Sequence, residues 1–252
     1  MRFLGIIPAR YASTRFPGKP LAMLGGKPVI QHVYEQASKA IDDVYVATDD
    51  EMIEAVVRAF GGHVVMTSPN HRSGTERCWE AAQKIGDQYD VIINIQGDEP
   101  FVQASQLKAL MECFLAAFPN EIATLAKPFS ADDPFAALEN VNTPKVVMNN
   151  LGMALYFSRA IIPYQRGVEK SEWLKGHTYY KHIGLYGYTR SALQKIIALP
   201  PSPLEQAESL EQLRWIENGY NIQVALTDVD TIGIDTPEDL KRAEDFLKNR
   251  QA

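Results

Sequence analysis

Cysteine is scarce in this 252-residue chain: Cys78 and Cys113 are the only two, too few and too far apart for a disulfide framework or a zinc site. Both fall in apolar helical patterns, which predicts buried thiols. Long apolar runs are missing as well. None approaches the ~18–20 residues of a membrane span, and Met1-Arg2-Phe3-Leu4 enters a strand without the charged, apolar and cleavable regions of a signal peptide. We therefore expect a cytoplasmic protein with no membrane partner. There is no basic excess either. With 25 Lys and Arg against 31 Asp and Glu, the net charge is −6 and the pI near 5.4, which argues against a general nucleic-acid or anionic-membrane binder. Internal repeats and low-complexity segments are absent. The remaining composition, 46% hydrophobic and 22% charged, is that of a soluble globular protein.

Strands and helices alternate through the first half. Phe3, Leu4, Ile6 and Ile7 read as a buried strand, and Val29 to Ile41 recurs at helical spacing before the strand Val44-Tyr45-Val46-Ala47. A helix through Met52, Ile53, Val56, Val57 and Phe60 stops at Gly61-Gly62 and precedes the strand Val64-Val65-Met66. A further helix, about Thr75 to Ile85, leads to the very apolar Val91-Ile92-Ile93-Asn94-Ile95. This order predicts an α/β fold, with a mostly parallel sheet covered by helices on both faces. From about Lys127 prolines separate shorter extended segments, including Val146–Met148, Ala154–Phe157 and an aromatic strand within 177–189, which suggests a smaller, partly antiparallel lobe. We expect one domain over 1–252 with this lobe at about 128–190. Ser202-Pro203-Leu204-Glu205 and Thr236-Pro237-Glu238-Asp239 carry helix-start signatures.

The loop after the first strand is the most informative segment. Pro8, Pro17, Gly18 and Pro20 interrupt regular structure and leave Arg10, Arg15 and Lys19 at a strand end, where open α/β sheets bind ligands. Its spacing fits neither Gly-x-x-x-x-Gly-Lys-[Ser/Thr] nor Gly-x-Gly-x-x-Gly. Two guanidinium groups, a lysine and the Ser13 hydroxyl suit a polyphosphate. A solvated basic loop is the plainer alternative.

Asp98, in Gln96-Gly97-Asp98-Glu99-Pro100, follows the strongest strand. Asp235 follows the apolar Ile232-Gly233-Ile234, read as a short strand, and precedes the last helix. Two such carboxylates suit Mg²⁺, which takes one or two protein carboxylates and bridges substrate phosphate. A turn aspartate and a helix-start carboxylate are the alternatives. Glu99 and Asp49 are weaker metal candidates. Ser73-Gly74-Thr75-Glu76-Arg77 has capping-box spacing, and its free backbone N–H groups face either a base edge or an anion, or serve as a cap alone. Arg77 lies one turn inside and could reach the same crevice, while Arg72 is expected to be more exposed.

Seven segments in order, 7–21, 73–77, 96–100, Tyr156-Phe157-Ser158-Arg159, 202–206, Leu210-Glu211-Gln212-Leu213-Arg214 and 235–240, together resemble the 3-deoxy-manno-octulosonate cytidylyltransferases over essentially the full length. The resemblance implies a Rossmann-like, three-layer αβα nucleotidyltransferase fold. It implies transfer of CMP from CTP to 3-deoxy-D-manno-octulosonate (Kdo) for lipopolysaccharide inner-core synthesis, with Mg²⁺ and a homodimer. It gives Arg10, Ser13, Arg15 and Lys19 to the triphosphate, Asp98 and Asp235 to the metal, and Ser73, Gly74 and Thr75 to the nucleotide and sugar. Arg77, Gln96, Arg159, His182, Glu211 and Gln212 would enclose the sugar acid. Arg72 departs from the pattern, which has Gln there. Glu76 and Glu99 favour the 8-hydroxy sugar over its 8-amino counterpart. A cytidylyltransferase for a sialic acid, or a noncatalytic nucleotide-binding regulator, are the rival readings.

Overall fold

The structure is a computed structural model that describes residues 1–12, 16–116, 120–230 and 232–251. Along the chain run β1 (Phe3–Ala9), the hairpin strands β2 (Met23–Leu24) and β3 (Lys27–Pro28), α1 (Val29–Ala37), β4 (Val44–Thr48), α2 (Glu51–Ala59), β5 (His63–Met66), α3 (Gly74–Ile85), β6 (Val91–Asn94) and α4 (Ala104–Leu115). They are followed by β7 (Ile122–Pro128), α5 (Phe135–Glu139), β8 (Lys145–Met148), β9 (Ala154–Ser158), α6 (Trp173–Gly176) and β10 (Tyr180–Thr189). The chain ends with α7 (Arg190–Ile196), α8 (Pro203–Glu208), α9 (Gln212–Glu217), β11 (Ile222–Leu226) and α10 (Pro237–Gln251). Two compact units result. One comprises Met1–Lys108, Thr189–Ile197 and Asp230–Ala252, the other Ala109–Tyr188 and Ala198–Val229.

The first unit holds a parallel sheet in the order β6-β1-β4-β5, as the α/β reading expects. β1 and β6 are almost wholly buried, so their near-continuous apolar runs are those of strands covered on both faces. The chain moves outward from β1 to β4 to β5, then returns to β6 on the other side of β1. Because such crossovers are right-handed, this reversal puts α3 on the face opposite α1 and α2. Helix starts are fixed locally. The Asp50 carboxylate accepts from Met52 N and Ile53 N, both at 3.0 Å, to start α2, with Glu51 and Glu54 in the first turn and Arg58 in the last. A satellite core joins Leu24, Val29, Phe101, Ile234 and Ala243 to Phe246 and Leu247, tying α10 to the β2–β3 hairpin.

In the second unit β10 pairs antiparallel with β7 and β8, β8 antiparallel with β9, and β11 parallel with β7, as the partly antiparallel reading expects. A register shift between Ile183 and Tyr186 bends β10. Phe129, Leu138, Trp173 and Tyr179 form a small aromatic core. The Ser202 cap is complete, its side chain accepting from Glu205 N while Glu205 accepts from Ser202 N.

Two expectations need correction. Residues 232–234 form no strand; Ile234 instead donates its N–H to Asp98 O at 2.9 Å, a single loop bond in place of a ladder. Cys78 is buried but Cys113 only half so, because it sits on α4 between the exposed Glu112 and Leu115.

Candidate active site

The reversal of strand order makes the loops leaving the carboxyl ends of β1 and β6 diverge, and open α/β sheets bind ligands in the crevice this creates. A cavity of about 280 Å³ lies there, lined by Pro8, Arg10, Lys19, Ser73, Gly74, Arg77, Gln96, Asp98 and Asp235 among others. Two glycines let backbone close around it. A Cβ on Gly97 would lie 2.9 Å from Pro8 O, so this segment packs against β1 only because it lacks a side chain, and one on Gly74 would lie a tight 3.2 Å from the Pro8 ring.

The basic loop is pinched at its base, where Gly18 N donates to Tyr11 O at 2.9 Å. Gly18 takes the left-handed conformation at φ 70°, and a 3₁₀ turn over Lys19–Leu21 follows. This turn aims Lys19 inward: its ammonium lies 2.5 Å from Asp98 Oδ2 and 3.2 Å from Asp235 Oδ1. Arg10 is exposed on the cavity rim. Ser13 and Arg15 lie outside the described residues.

Asp98 lies in the turn that Glu99 N closes on Gln96 O at 3.3 Å, and its carboxylate meets Lys19. Thr236 and Asp239 cap α10 reciprocally: Thr236 Oγ1 accepts from Asp239 N at 3.2 Å, and the Asp239 carboxylate accepts from Thr236 N at 2.9 Å and Asp235 N at 3.0 Å, while the Asp235 carboxylate reaches Lys19. The bond from Ile234 N to Asp98 O draws the two acidic segments together. Both carboxylates converge on one cation, the donor set that suits Mg²⁺, a hard ion content with two protein oxygens plus water and phosphate. Among the described residues no group of three or more His, Cys, Asp or Glu has metal-holding geometry. Of the weaker candidates, Asp49 is committed to Arg77. Burial and the neighbouring Asp98 charge push the Glu99 carboxyl up to about 8.

At the start of α3, Ser73 Oγ accepts from Glu76 N at 3.2 Å. Glu76 accepts from Arg72 N at 2.8 Å and from the Arg72 guanidinium at 2.7 Å; burial opposes its charge, but these bonds hold its carboxyl below the usual range. Arg72 is exposed, as expected. Arg77 is only 4% exposed, held by Asp49 at 3.0 Å and Thr67 Oγ1 at 2.6 Å, and forms part of the cavity lining. The lining carries four cations, Arg10, Lys19, Arg72 and Arg77, against two carboxylates, in a protein of net charge −6.

Sequence reasoning missed His71, Thr67 and the role of Asp49. His71 lines the cavity and pairs with Glu80, whose carboxyl, despite burial, is held down at about 2 by Lys84, Ser68 N and His71. Its position two residues before Ser73 was the available signal.

Arg159, His182, Glu211 and Gln212 belong to the second unit. The Arg159 guanidinium donates to carbonyls of Glu208 at 2.7 Å, Val141 at 2.9 Å and Ser209 at 3.2 Å. His182 meets Thr124 Oγ1 at 3.0 Å, and desolvation pushes its ring down to about 3, so it is neutral at ordinary pH. Tyr186 lies beside the His182 ring, with centroids 5.4 Å apart, and burial, then the Glu211 charge, raises its hydroxyl pKa. Gln212 Nε2 and Trp215 Nε1 are buried donors with no hydrogen-bond partner among the described residues. Such orphans are rare in folded proteins, and an ordered water or a polar ligand would satisfy them.

A family model described as cytidylyltransferase matches residues 4–224. The chain is 69% identical over 250 residues to the 3-deoxy-manno-octulosonate cytidylyltransferase of Bacteroides thetaiotaomicron, covering 99% of this chain and 100% of that protein. It is 66% identical over 251 residues to that of Phocaeicola vulgatus, covering 100% and 99%. A solved structure of CMP:2-keto-3-deoxy-manno-octonic acid synthetase complexed with CTP superposes with a TM-score of 0.90 at 41% identity, covering 99% of this chain and 100% of that one.

Proposed function

Because the chain belongs to the 3-deoxy-manno-octulosonate cytidylyltransferases, we propose that it transfers CMP from CTP to Kdo, giving CMP-Kdo and pyrophosphate. The observation that carries this reading is the basic cavity at the switch point, with Lys19 between Asp98 and Asp235. An oxygen–phosphorus bond forms between the anomeric hydroxyl of Kdo and the α-phosphorus of CTP as the bond to the β-phosphate oxygen breaks; the hydroxyl proton is released and pyrophosphate leaves. There is little covalent chemistry for side chains to do, so rate comes from positioning and charge stabilisation.

Arg10, Arg15 and Lys19 hold the triphosphate, the guanidinium groups gripping oxygens in pairs. The amino terminus of α3, with Ser73, Gly74 and Thr75, offers N–H groups to the nucleotide. The family likeness gives Arg77, Gln96, Arg159, His182, Glu211 and Gln212, whose side chains offer donors and acceptors, to the polyhydroxylated acid. Asp98 and Asp235 hold Mg²⁺, which when bound offsets the charge that develops on phosphate oxygens. A supply role in lipopolysaccharide synthesis, a cytoplasmic location and a homodimer belong to the same reading and rest on the family likeness.

Pyrophosphate release from CTP, assayed with Kdo, 8-amino-Kdo and a sialic acid, tests the assignment. Release with Kdo far above the others is expected; CTP binding without release on any of them would reject it in favour of a regulator. Asp98→Asn replaces a charged ligand oxygen by a neutral one, so turnover should fall by ~10²-fold or more and half-maximal Mg²⁺ should rise. A Mg²⁺ titration that leaves the half-maximal concentration unmoved would remove Asp98 from the metal site.

A further inference from the structure

We propose that Lys19 acts as a built-in counter-ion, occupying the meeting point of the two metal-binding carboxylates until a triphosphate draws it away. The inference rests on the assignment of Asp98 and Asp235 to a divalent cation. Its own basis is geometric. The Lys19 ammonium lies within bonding reach of both acids, at 2.5 and 3.2 Å, with its side chain only 14% exposed. The bond from Ile234 N to Asp98 O holds the two acidic segments side by side at this point.

Two cations cannot share that point, so Lys19 must leave before a divalent ion binds both oxygens. Its backbone is fixed by Gly18 and the 3₁₀ turn, so the movement falls to the four-carbon stem, which carries a compact charge on rotatable bonds. Leaving is uphill when only water awaits the ammonium. It becomes favourable when phosphate oxygens lie within reach of the same stem. Triphosphate and metal then bind cooperatively, since each favours the state in which Lys19 has turned from the acids, and this coupling is reciprocal. An enzyme built this way keeps its acid pair from free divalent ions and takes the metal together with the nucleotide.

The test is Mn²⁺ binding, followed by electron paramagnetic resonance on the full chain without nucleotide. Lys19→Met and Lys19→Gln remove the competing charge and should bind Mn²⁺ about 10-fold more tightly than the wild type, within the range of ordinary coupling factors. Lys19→Arg keeps a cation and should stay near the wild-type value. Adding Asp98→Asn to Lys19→Met should abolish the gain. Equal affinity in the wild type and both neutral variants, lost on Asp98→Asn, would overturn the counter-ion role while leaving the metal site intact. A gain that survives Asp98→Asn would also overturn it, by showing that the ion sits elsewhere. No Mn²⁺ binding by any variant, even with CTP, would overturn the metal site and the inference with it.

Discussion

Arg77 and Asp49 meet beneath the cavity, a guanidinium and a carboxylate largely withdrawn from water. Replacing such a pair by apolar groups can be neutral, but removing one partner leaves a buried charge uncompensated, at a cost of about 3–5 kcal/mol. Asp49→Ala should therefore lower the unfolding free energy by roughly that amount, measured by urea denaturation; a loss below about 1 kcal/mol, typical of a surface pair, would show that the guanidinium finds water. The pair also marks the edge of what residue types disclose. Arg77 could be placed near the crevice from its position one turn inside a capped helix. That Asp49 would hold it could not, because Asp49 leaves β4 while Thr67, the other partner, leaves β5, and only the register between those strands sets them side by side. That Lys19, Asp98 and Asp235 would line a cavity was legible because each follows an interrupted or ended apolar segment. Their mutual distances were not.

Elements with strong punctuation were readable. α2, α3 and α8 each begin at a side-chain cap, and Ser202→Ala should lower stability by about 1 kcal/mol, seen as an earlier urea midpoint with an unchanged slope. Elements without punctuation escaped notice. α9 buries Gln212, Leu213, Arg214 and Trp215 in succession, so no polar face alternates with an apolar one, and Arg214 is inside because Glu205 grips it at 2.6 and 2.8 Å and Leu199 O accepts from it at 3.2 Å. β7 mixes Thr and two Ala with Ile and Leu, which dilutes its strand signal. β10 carries a pH dependence of its own. Desolvation moves the His182 ring from 6.5 down to about 3, so across that window the unfolded chain takes up a proton that the folded one refuses. Stability should fall as pH drops from 6.5 toward 3. His182→Gln should flatten this part of the profile, and urea midpoints at several pH values would reveal an unaltered slope if the ring does not contribute.

At the scale of the whole molecule, a net charge of −6 surrounds a cavity whose lining is cationic. A polyanionic nucleotide is thus repelled by the protein at large and attracted by one locality. Added salt screens exposed charges over about 10 Å at 0.1 M, so it should weaken the local attraction. KM for CTP is expected to rise as salt increases from 0.05 to 0.5 M, with kcat changing less; a flat KM would mean that contact, not field, captures the nucleotide. The switch point where this happens was foreseeable in kind from alternating strands and helices, but its location needed the reversal between β5 and β6, which no local pattern announces. The acid pair has one more consequence. Lys19 and Asp235 are separated by 216 positions, and the bond from Ile234 to Asp98 is what brings the far segment home. A polypeptide ending anywhere between Asp98 and Asp235 would keep Lys19 and one of its two carboxylates but lose the other, so the threefold meeting of charges exists only once nearly the whole chain has been made.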